Sequence, residues 1–388
     1  MILQLRIIIS RILNKLFIAT CNKLPVRKDK VVFSNFNGNC FGDNPKYIAL
    51  EILHQNLPYD LVWLVKSLDE VIPSGIRKVR INSKRAYYEI STAKIIIRNI
   101  KNEIVWKKKS CQYYIQTWHG SFPLKYIEQE AEQKLSTHYI EKSKADSAIT
   151  NLFLVSCLSD KKIVETSFWY SGEIFMKGVP RNDVLFSKNQ QSAILVRNTL
   201  HIPCGYKIAL FAPTFRDNSR TDVYNLDFQA LKQTLEIKTG FEWVIIIRLH
   251  PNVKHLSIDY QYTDQIIDGS NYSDPQDLVI ASDLLITDYS SMLYDFSLMK
   301  KPVFLYAYDL EEYEKERGLR PIYFELPFSL CRSDEELRDA IMNYDNENYQ
   351  TRLKNFMDER VQSFDNGHAS EAVVDRIKNV IEGRFKMQ

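Results

Sequence analysis

The sequence predicts an α/β protein with two doubly wound parallel sheets that face a cleft. Short apolar strands alternate with helical segments, which is typical of βαβ units, and the alternation occurs in two runs separated by a seam near residues 186–206. A chain of 388 residues is long enough for two domains of roughly 100–200 residues each. We therefore expect an N-terminal domain at 25–190 and a C-terminal domain at 191–388, preceded by a helix at 1–24.

In both runs, polar motifs follow the predicted strands. In the first run the predicted strands are 30–33, 61–65, 94–98, 113–117, 152–156 and 174–176, with helices at 45–55 and 85–93. In the second run the strands are 207–211, 243–248, 283–287 and 302–306, with helices at 228–238, 278–281, 290–298, 334–343 and 371–381. Ligands of such sheets bind beyond the carboxyl ends of the strands, which is where the polar motifs lie.

Charge and cysteine usage exclude several functional classes. The net charge is only +3 and no aromatic-studded basic stripe occurs, so we expect no nucleic-acid partner. The six cysteines are far apart and form no C-x-x-C pair, which argues against a zinc site and against a disulfide framework. A reducing, cytoplasmic setting fits this pattern best.

The N-terminal segment 1–24 has the pattern of an amphipathic helix. Gln4, Arg11, Lys15 and Asn22 fall on one side, and most of the remaining residues are Ile, Leu and Phe. Charges interrupt the apolar run too often for a bilayer span, and no small-residue cleavage site is present. The sequence favours a helix lying on an anionic membrane surface, and the alternative is a helix packed on its own domain.

Two histidines follow predicted strands. His119 ends the strand 113–117 beside Gly120, which lets a ligand approach, and an imidazole there can remove a proton. His250 follows Arg248 with the same side-chain direction in extended chain, so a cation and an imidazole can act together on a pyrophosphate. The alternative for each is a buried histidine satisfied by neighbouring backbone.

Three further motifs can hold an anion. Arg181 offers a planar fork that matches a phosphate, although the adjacent Asn182 and Asp183 could instead cap a helix. Backbone after Pro213, the hydroxyl of Thr214 and the charge of Arg216 form a second candidate, whose alternative is an ordinary turn.

The third motif opens a helix. Ser290 or Ser291 caps the helix that follows the strand 283–287, and its N-terminal N–H groups favour an anion. Asp295 lies one turn into that helix and suits a sugar or ribose hydroxyl. The alternative is a plain N-cap.

Taken together, these motifs resemble those of the CDP-glycerol glycerophosphotransferases, which include primases and polymerases of wall teichoic acid and related capsule enzymes. The resemblance rests on WHG at 118–120 followed by PLK at 123–125, PRND at 180–183, APTFRD at 212–217, RLHP at 248–251, ITDYSS at 286–291 and the stretch 301–318, and it runs from about residue 30 to 380. It implies a GT-B-like fold and a CDP-activated polyol phosphate donor bound in the cleft. It also implies a lipid-linked saccharide acceptor at the cytoplasmic face of the bacterial membrane.

The resemblance also implies site residues. Donor contacts carry over to His119, Gly120, Arg181, Pro213, Thr214, Arg248, His250, Ser290, Ser291 and Asp295, and we add Arg216 from its motif. The sequence departs from the common HGTPLK pattern, because the segment 119–125 is one residue longer. That difference indicates altered contacts after Gly120, or a capsule-type relative with a different polyol or acceptor.

The expected reaction is an in-line attack by an acceptor hydroxyl on the β-phosphorus of CDP-glycerol, which releases CMP. His119 and His250 are the predicted catalytic residues, and their roles could be exchanged. No cofactor is required by the sequence, although a divalent cation is compatible with it, as is a homo-oligomer. Alternative functions are a CDP-ribitol ribitolphosphotransferase, a GT-B glycosyltransferase that uses a nucleotide sugar, and a surface-binding module without activity.

Overall fold

Two parallel sheets form the framework of the protein. The computed structural model describes residues 16–101, 106–187, 191–216, 226–249 and 260–385. Each half of the chain contributes one sheet, and every pair of neighbouring strands in both sheets is parallel. The predicted architecture of two Rossmann-like domains is therefore confirmed.

The first sheet has seven strands in the order β3-β2-β1-β4-β5-β6-β7. Val31 and Phe33 of the central strand pack on one face, and Val32 packs on the other. This alternation buries both faces, as expected of a parallel sheet covered by helices on each side. The strands are β1 (Arg27–Ser34), β2 (Asp60–Val65), β3 (Ile76–Arg80), β4 (Ala93–Arg98), β5 (Tyr113–Gln116), β6 (Leu152–Leu154) and β7 (Glu173–Phe175).

The second sheet has six strands in the order β10-β9-β8-β11-β12-β13. Strand β9 is buried along its whole length, which explains why it is the most apolar segment of the second half. The strands are β8 (Lys207–Phe211), β9 (Trp243–Ile247), β10 (Ile266–Asp268), β11 (Leu284–Thr287), β12 (Val303–Tyr306) and β13 (Ser329–Cys331).

Helices cover both sheets. Ser83, Ser136 and Asp274 cap three of them, each with its side chain accepting a backbone N–H of the first turn. The helices are α1 (Asp43–His54), α2 (Lys84–Thr92), α3 (Thr137–Ile149), α4 (Leu158–Ser167), α5 (Gln191–Thr199), α6 (Phe228–Thr239), α7 (Pro275–Ala281), α8 (Met292–Leu298), α9 (Leu310–Arg317), α10 (Asp334–Met342), α11 (Asn346–Phe356) and α12 (Ala369–Ile381).

The last helix returns to the first sheet. Val373, Val374 and Ile377 of α12 are fully buried in the same cluster as residues of β1 and α1. The sequence placed 191–388 in the second domain, and this helix is a correction to that assignment. Its amphipathic pattern predicts a buried face, but the pattern does not say which sheet covers it.

Only the end of the N-terminal segment lies among the described residues. Residues 16–21 are helical, Cys21 is buried, and the hydroxyl of Ser91 donates to Asn22 Oδ1. This end therefore packs on the first domain, whereas the rest of the predicted amphipathic helix lies outside the described residues. In the described part of the chain, no helix has both the length and the apolar character needed to cross a bilayer.

Each sheet reverses its winding direction at one point. In the first sheet this switch lies between β1 and β4, and in the second it lies between β8 and β11. Loops after neighbouring strands diverge to opposite faces at such a point and leave a crevice, which is the usual binding place in open α/β sheets. The topology therefore predicts a binding site at the loops that follow these four strands.

Candidate active site at the junction of the two sheets

The two domains approach each other closely at Gly120 and Ser291. A Cβ atom added to Gly120 would lie 3.3 Å from the Ser291 hydroxyl oxygen, which is tighter than most such contacts. Gly120 belongs to the loop after β5 and Ser291 to the loop before α8. These two predicted site residues, from opposite halves of the sequence, therefore meet across the cleft.

His119 has one ring nitrogen fixed by the backbone. Its Nδ1 lies 2.9 Å from the carbonyl oxygen of Asn99, and because a carbonyl only accepts, Nδ1 carries the proton. Nε2 of the neutral ring is then the basic nitrogen. Burial lowers the pKa of His119, and the Asn99 carbonyl and the Asp43 carboxylate oppose that effect. The ring is thus neutral near pH 7 and able to accept a proton.

Arg181 joins the His119 loop to the second domain. Its Nη1 donates to the His119 carbonyl oxygen at 3.0 Å, and its Nη2 lies 3.4 Å from the Asp295 carboxylate. Burial alone would lower the pKa of Arg181, but Asp295 and then Asp43 outweigh it and raise the pKa. Its Nε is buried and finds no hydrogen-bond acceptor among the described residues, which leaves one donor of the guanidinium without a partner there.

Asp295 is almost completely buried on the cleft side of α8. Burial raises the pKa of its carboxyl group, and the charge of Arg181 opposes that rise. This environment differs from that of a surface carboxylate, because few solvent molecules reach it. The predicted contact of Asp295 with a donor hydroxyl stays a prediction, and its place beside Arg181 is compatible with it.

The loop after β8 is held by a carboxylate from the loop after β11. The backbone N–H and the hydroxyl of Thr214 both donate to Asp288, at 2.9 and 2.7 Å to the same oxygen, Oδ1. Pro213 is buried just before this contact, and Ser290 accepts the Met292 N–H at 3.2 Å. Asp288 therefore sets the geometry of the two strand ends that carry the predicted donor contacts.

Arg248 contacts backbone oxygens. Its Nη1 donates to the carbonyls of Gly269 and Tyr272 at 3.0 and 2.9 Å, and among the described residues none of its hydrogen bonds goes to a carboxylate. Burial lowers the pKa of Arg248, opposed chiefly by the charge of Asp274. A buried guanidinium whose positive charge is only partly compensated is well suited to bind an anionic ligand. The other predicted residue of this motif, His250, lies outside the described residues, so its position relative to His119 stays a prediction.

Arg216 has other partners than the sequence indicated. Its Nε and Nη2 donate to Asp309 and its Nη2 also donates to Asp288, at 2.6 to 2.9 Å, and the side chain is 3% exposed. The guanidinium also stacks over the rings of Tyr289 and Tyr313. The sequence assigned Arg216 to the donor, but these contacts favour a role in positioning the Thr214 loop.

Sequence reasoning missed the start of α1. The Asn44 side chain accepts the Arg181 backbone N–H at 3.0 Å and donates to the Trp118 carbonyl at 3.2 Å, so it holds two site segments at once. Lys46 forms an ion pair of 2.6 Å with Asp274 of the second domain. The available signal was a polar loop after the first strand, followed by an Asp-Asn-Pro start of a helix.

The longer segment 119–125 contributes to the domain interface. The ring of Phe122 lies 6.2 Å from that of Tyr294 and 5.9 Å from that of Phe356, both in the second half of the chain. Its backbone N–H donates to Asp160 at 2.7 Å. The segment that differs from the common pattern thus packs an aromatic side chain between the domains.

Comparison with known proteins is consistent with this geometry. A family model described as CDP-Glycerol:Poly(glycerophosphate) glycerophosphotransferase matches residues 16–379. The chain belongs to this glycerophosphotransferase family. Members with solved structures share its whole architecture: the Wall Teichoic Acid Polymerase TagF, in a histidine variant soaked with CDPG, superposes with a TM-score of 0.85 at 30% identity, over 99% of this chain and 98% of that one.

Relatives in the family differ in length and in polyol. The teichoic acid poly(glycerol phosphate) polymerase of Staphylococcus epidermidis is 31% identical over 92% of this chain, but the chain spans only 51% of that protein. The teichoic acid glycerol-phosphate transferase of Staphylococcus aureus is 31% identical and is matched over 94% of its length. A teichoic acid ribitol-phosphate polymerase of S. aureus, TarK, is 29% identical over 90% of this chain.

In the described residues, no three His, Cys, Asp or Glu side chains converge as metal ligands would. Asp43 and Asp295 are the carboxylates on either side of Arg181, at 3.6 and 3.4 Å from its nitrogens. The site as described thus combines the neutral imidazole of His119 with the buried Arg181, two carboxylates and the close contact at Gly120.

Proposed function

We propose that the protein transfers glycerol phosphate from CDP-glycerol to a membrane-linked teichoic acid or capsular polymer precursor and releases CMP. The observation that carries the proposal is the pairing of a neutral His119, whose Nδ1 proton is fixed, with Arg181, which bonds the same residue and reaches Asp295 across the cleft. Family membership restricts the chemistry that this pairing serves.

The proposed reaction is one in-line displacement at the β-phosphorus of the donor. The acceptor hydroxyl oxygen forms a bond to that phosphorus while His119 Nε2 takes its proton, a contribution of about 10²–10⁴-fold. The bond from the phosphorus to the bridging oxygen breaks, and CMP leaves with the electron pair. Arg181 and Arg248 balance the charge that develops on the phosphate oxygens. The predicted second histidine, His250, joins them on the donor side.

Ser290 and Ser291 remain predicted donor contacts, together with Gly120, Pro213 and Thr214. Pro213 and Thr214 follow β8, and Ser290 and Ser291 follow β11, the two strands that flank the switch point of the second sheet. Gly120 follows β5 of the first sheet and lies against Ser291. Arg216 is proposed to act on the donor indirectly, through the loop that carries Thr214. Asp295 is proposed to meet a hydroxyl group of the donor rather than a phosphate.

The donor is tested by incubating the protein with a lipid-linked acceptor analogue and CDP-glycerol, CDP-ribitol or a UDP-sugar in separate reactions. We expect CMP release and a mass increase of one or more glycerol phosphate units with CDP-glycerol, and background release with the UDP-sugar. The His119→Ala protein is the control for release that does not depend on the site. Transfer from the UDP-sugar alone would show that the chain is a glycosyltransferase instead.

CDP-ribitol is the second candidate donor, because a ribitol-phosphate polymerase is almost as similar to this chain as the glycerol-phosphate enzymes are. The same set of reactions separates the two. A kcat/KM for CDP-ribitol that exceeds that for CDP-glycerol would assign the longer polyol. Comparable kcat/KM values would show that the site does not distinguish CDP-ribitol from CDP-glycerol.

We further propose that residues 1–24 associate with the cytoplasmic face of the membrane, where the lipid-linked acceptor lies. The end of this segment packs on the first domain, so a truncation should spare it. Deleting residues 1–15 is expected to reduce co-sedimentation with anionic liposomes several-fold and to change turnover on a soluble acceptor much less. Liposomes of neutral lipid serve as the control. Unchanged co-sedimentation would favour the alternative, a helix packed on its own domain.

A further inference from the structure

We propose that Asp43 is a positioning residue for the base, acting on His119 through Asn99. The inference rests on the proposed function, in which His119 removes the acceptor proton. Asp43 lies at the start of α1, in the loop after β1, and Asn99 directly follows β4. These are the two strands that flank the switch point of the first sheet, and His119 follows β5, which pairs with β4, so the fold brings the three residues together.

Asn99 forms a continuous hydrogen-bonded link between the carboxylate and the imidazole. Its side-chain Nδ2 donates to Asp43 Oδ2 at 2.7 Å, and its backbone carbonyl oxygen accepts from His119 Nδ1 at 2.9 Å. The same Nδ2 donates to Asn35 at 2.6 Å, and Oδ1 accepts the Phe36 N–H at 2.9 Å. Every polar atom of the Asn99 side chain is thus engaged, which holds its carbonyl in the direction that fixes the His119 ring.

Asp43 adopts a backbone conformation that most residues avoid. Its φ is +53°, in the left-handed region, and its side chain is buried. Asp and Asn tolerate this region better than other residues with a Cβ, because their short polar side chains bond locally, and Asp43 Oδ1 accepts the Asn44 N–H at 2.8 Å. Conformations of this kind concentrate at functional sites, where the surrounding structure maintains them.

Three charged groups act on the His119 ring from the elements packed around it. Asp43 has the largest effect among them and raises the pKa of His119, Arg181 lowers it, and Glu128 raises it by less. Glu128 is itself paired with the buried Lys101 at 3.0 Å. Asp295 faces Arg181 rather than the ring, and Asp43 lies 3.6 Å from Arg181 as well as bonding Asn99. Asp43 is therefore the carboxylate best placed to keep a buried imidazole basic.

This arrangement has a chemical consequence during the reaction. When Nε2 takes the acceptor proton, the ring becomes positively charged while Nδ1–H still donates to the Asn99 carbonyl. The Asp43 carboxylate, bonded to the side chain of the same asparagine, stabilises that charge and restrains the ring from rotating. Asp43 contacts no reacting atom in this scheme, so its role is to position and polarise the base.

The test is Asp43→Asn, which keeps the size of the side chain and its tolerance of positive φ but removes the charge. We expect the pKa of His119, followed by NMR of protein carrying ¹⁵N-labelled histidine, to fall by about one unit. The acidic limb of the pH profile of kcat/KM should move down by the same amount. We expect kcat to fall about tenfold and the KM for CDP-glycerol to change less than about twofold.

Asp69→Asn is the matched control, because Asp69 is an exposed carboxylate of the same domain that bonds only Ser67 among the described residues. It alters the net charge equally and should leave the His119 titration and turnover unchanged. Asn99→Ala removes the side-chain link but keeps the carbonyl of residue 99. If Asp43 acts through Asn99, the effects of the two substitutions on the His119 pKa will not add in the double variant.

The NMR titration separates this inference from the proposed function, since it requires no turnover. An unchanged His119 pKa in Asp43→Asn, together with an inactive His119→Ala protein, would overturn the role of Asp43 and leave the base assignment intact. Full activity of His119→Ala would overturn both. Additive effects of Asp43→Asn and Asn99→Ala on the His119 pKa would show that the carboxylate acts without the asparagine.

Discussion

Replacing His119 with alanine is expected to reduce turnover with CDP-glycerol at least about 100-fold while the protein stays folded. The Nε2 nitrogen of the neutral imidazole is available to accept a proton, whereas the carboxylates of Asp43 and Asp295 each face Arg181. Loss of its Nε2 removes the general base, and loss of its Nδ1–H leaves one backbone carbonyl without a donor. The second effect costs about 1–3 kcal/mol, too little to unfold a protein of this size.

Steady-state CMP release measures the loss of turnover, and circular dichroism of the same protein checks that it stays folded. His138→Ala is the matched control, because His138 is an exposed histidine on α3 in the same domain. The control should keep normal turnover. Turnover within about threefold of the unaltered protein in His119→Ala would remove this residue from the mechanism and move the role of base to His250.

The central strands of both sheets could be predicted because they are apolar and bounded by polar loops. The predicted strand at 207–211 matches β8, and 243–248 differs from β9 by one residue. Of the four edge strands, β7 was predicted, at 174–176, and β3, β10 and β13 were missed. Strand β3 reads Ile-Arg-Lys-Val-Arg and exposes three of its five residues, and β10 and β13 have only three residues each. A strand paired on one side keeps polar residues and carries no continuous apolar pattern.

The candidate site could be predicted in part for a related reason. Residues that follow buried strands, such as His119 and Thr214, are recognisable because the strand itself is recognisable. The link from Asp43 to Asn99 could not be predicted, because it joins loops 56 residues apart in the sequence that meet only at the switch point of the sheet. Contacts of this kind depend on strand order, which periodicity does not reveal.

The partners of Arg216 were hidden in the same way. A motif that ends in arginine after a strand predicts an anion site. The same arginine can instead form ion pairs with carboxylates that the fold brings from distant parts of the chain. Asp288 comes 72 residues later in the chain and Asp309 comes 93 residues later. The sequence therefore predicted an anion site at this loop but could not tell that the fold pairs Arg216 with two carboxylates.

Arg216→Met is expected to lower the free energy of unfolding by about 3–5 kcal/mol, the largest effect on stability that we predict. Methionine fills a similar volume, but it leaves Asp288 and Asp309 buried beside each other without a cation. Both carboxylates must then be protonated or remain as uncompensated charges in a site with little solvent. Asp288 also anchors Thr214, so the loop after β8 loses its geometry as well.

Urea unfolding of Arg216→Met and of Arg332→Met compares this network with an exposed ion pair. Arg332 lies 3.4 Å from Glu311 with both side chains more than half exposed, and surface pairs of this kind contribute about 0–1 kcal/mol. Because the Arg216 guanidinium is buried between two carboxylates, its loss should reduce stability first and raise the KM for CDP-glycerol only as the Thr214 loop relaxes. An unchanged urea midpoint with a KM raised more than about tenfold would instead mean that Arg216 leaves Asp309 to bind the donor. In that case the closed network would be one state of a residue that exchanges a carboxylate for a phosphate, as the motif alone suggested.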